Sequence, residues 1–118
     1  MKLKMLPVAF ACSGCSSAGQ LADHVVRHLD EQGLVEMGSI AGIGAEEPLQ
    51  LGKARSRFPI YAVDGCANAC SRRCLERQGI KPLRHVVLTD FGVLKRCTAG
   101  FDQADAKRLL DVLATELR

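Results

Sequence analysis

Phe58-Pro59-Ile60-Tyr61-Ala62-Val63-Asp64-Gly65-Cys66-Ala67-Asn68-Ala69-Cys70 is the stretch that decides the fold. Its apolar, β-branched and aromatic run predicts a buried strand over 58–63, with Asp64-Gly65 as the turn. A helix over 66–78 is expected to follow, stopped by Gly79 and Pro82. The same hand-over from strand to helix occurs upstream. Residues 5–11 read as a short buried strand, and Cys12-Ser13-Gly14-Cys15 forms the loop. A helix then starts at Ser17, with Gln20 as capping-box partner. Leu21, Ala22, Val25, Val26 and Leu29 make its apolar stripe, and Gly33 is its stop.

Between these units, residues 34–41 read as a second strand ending in Ala41-Gly42-Ile43-Gly44, and Pro48 opens a short helix to about residue 55. Downstream, residues 85–89 give a fourth strand. Asp102 caps a last helix with Asp105 in its first turn and Ala106, Leu109, Leu110, Leu113 and Leu117 on one face. Strand–helix alternation predicts one small three-layer α/β/α domain over 1–118, Rossmann-like or flavodoxin-like, with a mainly parallel sheet of about four strands. Right-handed crossovers then put every strand-to-helix loop on one edge of the sheet, where ligands of such folds bind. The cysteines lie on those loops.

Composition narrows the chemistry. At 118 residues the chain is long enough to bury a core without staples, and its four Phe and one Tyr leave that core aliphatic. A net charge of +3 lacks the basic face and stacking aromatics of nucleic-acid binding, so no nucleic-acid partner is expected. No apolar run reaches the roughly 20 residues of a membrane span, so no membrane partner is expected either. Lys2 and Lys4 before an apolar stretch ending at Cys12 imitate a lipoprotein signal, but Pro7 interrupts it and cleavage would delete the first strand. Six cysteines in such a chain read as cytoplasmic thiols used for metal or catalysis.

Zinc holds thiolates near 2.3 Å in a tetrahedron, so ligand sulfurs must approach one another to about 4 Å. Cys12 and Cys15 can do so in a tight turn with Gly14 supplying backbone freedom. Cys66 and Cys70, four apart on a helix, can do so on one face. Cys74 would then stand about 12 Å from Cys66 along the axis, so it reads as a core thiol. Helix starts at Cys15 and Cys66, with Arg72, Arg73, Lys95 and Arg96 in reach, would favour the thiolate form. Asp64 is either an acceptor that orients the loop or ligands, or an ordinary helix-entry residue. Gly65 is expected to allow close backbone approach or an unusual backbone angle.

Asp64-Gly65-Cys66 followed by Cys70 resembles the name-giving signature of the DGC-domain family. Cys12-Ser13-Gly14 with Gly19-Gln20-Leu21, then Ala41-Gly42-Ile43-Gly44-Ala45, then Ala62-Val63-Asp64-Gly65-Cys66 resemble that family's blocks in order, and residues 87–92 resemble its last strand. The resemblance spans about residues 6–96 and implies zinc bound through cysteines, in a family without an established physiological role. It carries over to Cys12, Cys66 and Cys70. The family pattern has a further cysteine where this chain has Ser39, and a small residue where this chain has Cys15. Cys15 is therefore the expected fourth ligand; otherwise the site has three thiolates and an open position.

Other signals compete. A strand, Cys-x-x-Cys and a helix is also the layout of thioredoxin-like proteins, so a thiol–disulfide oxidoreductase using Cys12 and Cys15 is the alternative. Four thiolates equally suit an iron–sulfur or Cu(I) carrier. A phosphatase or arsenate-reductase loop needs an arginine after its nucleophile, and none precedes Arg27. His24 and His28 stand four apart, without the glutamate of a zinc-protease helix, and read as helix surface. Asp90-Phe91-Gly92 lacks every other kinase element. Cys97 reads as a spare thiol.

Overall fold

A computed structural model describes residues 6–57, 59–97 and 99–118. The expected strand start at Phe58 and the residues resembling a signal (Lys2, Lys4 and Met5) lie outside the described residues. Strand β1 (Val8–Ala11) is followed by helix α1 (Ser17–Glu31), strand β2 (Glu36–Met37), helices α2 (Ile40–Gly44) and α3 (Pro48–Ser56), and strand β3 (Ile60–Asp64). Helix α4 (Cys70–Arg77), strand β4 (Arg84–Val87), a 3₁₀ turn (Leu88–Phe91) and helix α5 (Gln103–Leu117) complete the order. All four strands pair in parallel, in the spatial order β2-β1-β3-β4.

Period-two alternation along the strands builds two cores. Ala9, Ala11, Val63 and Val86 face α1 and α5, packing against Leu21, Val25, Val26, Leu109 and Leu113. Val8, Phe10, Ile60 and Ala62 face the opposite way and pack with Ile43, Ala54 and Leu75 from α2, α3 and α4. The sheet is thus covered on both sides, which is why β1 and β3 up to Val63, its two central strands, carry apolar and aromatic residues on both faces. Each fully buried Leu, Val or Phe here contributes about 1.5–3 kcal/mol. This is the three-layer α/β arrangement expected. The chain leaves β1 through α1 to one side and returns through α2 and α3 to the other, so the reversal point lies between the carboxyl ends of β1 and β3.

Four expectations are corrected. The second strand covers only Glu36–Met37, because the Phe10 ring fills the place of a Gly38 Cβ at 2.4 Å and Ser39 then caps α2 by accepting from the Gly42 amide at 3.1 Å. The Ala41-Gly42-Ile43-Gly44 block is therefore helix. Helix α1 is capped by Ser16, one residue earlier than expected, and Gln20 reaches back to the Cys15 carbonyl at 3.2 Å. The fourth strand runs Arg84–Val87 and turns into the 3₁₀ segment at Leu88. The largest correction concerns Cys66, which does not open a helix: α4 begins at Cys70.

A candidate metal centre at the reversal point

Cys12 leaves β1 with its amide still bonded to the Val63 carbonyl at 3.1 Å. Its sulfur accepts a hydrogen bond from the Gly65 amide at 3.1 Å, joining the two cysteine loops directly. Close approach is why residue 65 is glycine. A Cβ there would stand 2.4 Å from the carbonyl carbon and oxygen of Ala18, in the first turn of α1. No unusual φ is involved. In the other loop Gly14 does adopt positive φ, at +151°.

Asp64 explains why α4 starts late. Its carboxylate, 1 % exposed, accepts from the amides of Ser71 at 2.7 Å and Arg72 at 3.3 Å. These are donors that the first turn of a helix must place somewhere. Ala69, at the cap position with left-handed φ +53°, offers no side-chain cap. The strand end therefore caps the helix from a distance, and residues 65–69 are stretched between them as irregular loop. Cys66 and Cys70 consequently share no helix face. Helix α4 instead relates Cys70 to Cys74, and Cys74 packs against the Val8, Phe10 and Leu75 core, as a core thiol should.

His85, which nothing in the sequence singled out, completes the carboxylate's environment. Its Nε2 lies 2.7 Å from Asp64 Oδ2, and its Nδ1 lies 3.4 Å from Arg72 Nη1. Arg72 can only donate, so Nδ1 holds the lone pair and Nε2–H donates to Asp64.

Burial pushes the Cys12 thiol up to about 11, against the lowering effect of the Gly65 hydrogen bond, and the neighbouring charges of Asp64, Cys70 and Cys66 push the same way. Lys95 brings a cation: its Nζ donates to Cys66 Sγ at 3.3 Å, and that bond holds the ammonium above its ordinary value. The loop carrying Lys95 is strapped to the start of α1. Ser17 N donates to the Arg96 carbonyl at 2.8 Å, Arg96 N to Ser17 Oγ at 2.8 Å, and Ser17 Oγ to the Leu94 carbonyl at 3.3 Å.

The structure does not join the other named residues to this group so closely. Cys15 is exposed, and no hydrogen bond among the described residues links its thiol to Cys12, Cys66 or Cys70. Cys97 is exposed on the strap beside Lys95. His24 and His28 stack on each other at 4.2 Å, and His24 on Phe101 at 4.8 Å, which fits helix surface. Desolvation and then the nearby His28 hold His24 below its ordinary value. Phe91 packs against the core while its carbonyl accepts from Arg108 at 2.7 Å, a structural use of Asp90-Phe91-Gly92. A cleft of about 620 Å³ lies beside α1 and the start of α2 and includes Ser13, Arg27, Ser39 and Gln50 but no cysteine.

Among the described residues, no group of three or more His, Cys, Asp or Glu side chains already stands at metal-holding distances. The chemistry of the donor set nevertheless suits a thiophilic ion. The Cys12 sulfur is hydrogen-bonded to the loop that carries Cys66, and the neighbouring Asp64 carboxylate is occupied by other donors. Cys66 sits on irregular backbone, free of the helix that would fix its separation from Cys70. Also among the described residues, no helix is long and apolar enough to cross a membrane.

An all-parallel α/β sheet with a cysteine junction at its reversal point defines the class. Residues 8–113 match the DGC domain, and the chain belongs to that family. It is 43 % identical over 104 residues to the anaerobic and virulence modulator AnvM of Pseudomonas aeruginosa, covering 88 % of this chain and 79 % of that protein. No solved structure matches the chain.

Proposed function

We propose that the chain is a cytoplasmic zinc-binding protein whose ion is held by Cys12, Cys66 and Cys70, with Cys15 or an open position as the fourth. The observation that carries this reading is the Gly65 amide donating to the Cys12 sulfur, which puts the two cysteine loops in contact. Asp64 stands behind the ligands and orders the helix that begins at Cys70. Cys15 lies in an exposed loop three residues after Cys12. Zinc binding displaces the thiol proton that burial holds on Cys12.

The same burial argues against Cys12 as the attacking thiol of the oxidoreductase alternative, which would leave that role to exposed Cys15. A thiol titrating near 11 supplies little thiolate at neutral pH, and thiolate is the attacking species. A regulatory role fits the description of the Pseudomonas aeruginosa relative as a modulator, and it requires no substrate cavity among the cysteines. Cobalt(II) titration of the reduced, metal-free protein tests the reading. Intense sulfur-to-cobalt absorption that vanishes in Cys66→Ser and persists in Cys74→Ser is expected. Absence of that band in the wild type, or its survival in Cys66→Ser, would overturn it. A visible chromophore in protein purified without added metal would favour an iron–sulfur carrier instead.

A further inference from the structure

The Arg72–His85–Asp64 chain lies beneath the thiol junction and has no counterpart in the ligand set. We infer that His85 is a positioning residue: through Asp64 it fixes the 65–73 segment, and with it the placement of Cys66 and Cys70. The functional half of this inference rests on the metal-binding reading above. The positioning half does not.

The geometry assigns each part. Asp64 is the last residue of β3 and His85 lies in the middle of β4, the Cα partner of Ala62 in the register between the two strands. Ala62 and Asp64 point to the same face of the sheet, toward α4. The 2.7 Å contact from His85 thus spans from one strand to the next and aims Oδ2, while Oδ1 is left to the Ser71 amide. Arg72 completes a loop of contacts. Its amide donates to Asp64 and its guanidinium to His85 Nδ1, so the first turn of α4 holds the imidazole that holds the carboxylate that caps that turn. Its other ion pair, to Glu76 at 3.7 Å, is too long for a hydrogen bond and leaves Arg72 free to serve this one.

The start of the segment is also held where Gly65 donates to Cys12 Sγ and accepts from Thr89 N at 3.1 Å and where Lys95 reaches Cys66, but the residues leading into α4 have fewer restraints. Residues 65–69 contain one internal backbone bond, Ala69 N to the Cys66 carbonyl at 3.1 Å, and Ala69 holds a left-handed angle that a non-glycine residue leaves readily. Without the imidazole donor, the carboxylate keeps two amide donors but loses the bond that sets its rotamer. The cap then loosens, and Cys66 and Cys70, which flank the loop, lose their fixed separation. Ordering two ligands at the moment of binding lowers affinity even when every ligand remains.

Hydrogen exchange on the metal-free protein separates this from general destabilisation. In His85→Leu, amides of residues 65–73 should exchange about tenfold faster or more, while amides of β1, α1 and α5 stay as in the wild type. His85→Gln, which keeps an N–H at the same reach, should restore most of the protection. Zinc affinity should fall about tenfold in His85→Leu and recover in His85→Gln. Uniformly faster exchange along the chain, or unchanged exchange at 65–73, would overturn the inference. If His85→Leu does not fold, Arg72→Met reads the same relay from its other end and should loosen the same segment to a smaller degree; protection equal to wild type there would overturn it. A wild type that binds no zinc removes the metal reading and leaves the exchange result to judge His85.

Discussion

The Gly65 amide lies 3.1 Å from the Cys12 sulfur, and the position a Gly65 Cβ would take is 2.4 Å from the Ala18 backbone. The residue that joins the two thiol loops is therefore also the one wedged against α1. Gly65→Ala has no flexible neighbour to push aside, so the first turn of α1 or the end of β3 must move. A loss of about 1–3 kcal/mol is expected, read as a lower midpoint in urea unfolding. An unchanged midpoint would contradict this packing.

Cys12 should be the slowest-titrating thiol of the metal-free protein. Its folded value near 11 exceeds the ordinary 9.0, which leaves about a hundredfold less thiolate at pH 8 than an unperturbed thiol has. Iodoacetamide labelling at several pH values, resolved by mass spectrometry, should show Cys12 lagging behind exposed Cys15 and Cys97. The raised value also sets a sign for stability. The neutral thiol is favoured in the fold, so its contribution is complete below about pH 9 and is lost as pH rises through about 11.

Ser17 holds the strap over the site through two side-chain hydrogen bonds, one from Arg96 N and one to the Leu94 carbonyl. Ser17→Ala leaves the Arg96 amide and the Leu94 carbonyl without that partner. About 1–2 kcal/mol of stability should go with it. The more specific sign is slower alkylation of Cys66 once the Lys95 ammonium, which favours its thiolate, is released from the sulfur.

Acid should weaken the fold in two steps. Desolvation first, and then His28, keep His24 below its ordinary value, so the unfolded chain binds the proton more readily and stability falls as pH drops through about 6.5. Glu36 is held below its ordinary value by its hydrogen bond from Lys53 and then by Arg57, so its contribution is lost lower still, as pH falls below about 4.5. His24→Gln should flatten the first step and leave the second. Unfolding midpoints measured from about pH 7.5 down to about pH 2.5 check both.

The architecture was legible because β1 and β3 are apolar on both faces and α1 and α5 carry clear apolar stripes and caps. Val8, Phe10, Ile60 and Ala62 need one helical layer, and Ala9, Ala11 and Val63 need another. The meeting of the cysteine loops followed from the parallel order alone, since β1 and β3 are neighbours. What escaped was set by contacts distant in sequence. The Phe10 ring against Gly38 cuts the second strand short, and the Asp64 carboxylate moves the start of α4 from Cys66 to Cys70. His85 had no signal at all. A lone histidine in a short strand gains meaning only when the sheet register sets it beside Asp64. Lys95, named in the sequence as a cation within reach of the thiols, is held at Cys66 by the Ser17 strap.

Elemental analysis of protein purified under reducing conditions, without chelator or added metal, tests the central claim most directly. The account predicts about one zinc per chain in the wild type and in Cys74→Ser, and essentially none in Cys66→Ser. Wild-type protein that is folded, fully reduced and free of zinc would contradict it, as would a Cys66→Ser variant that keeps its zinc.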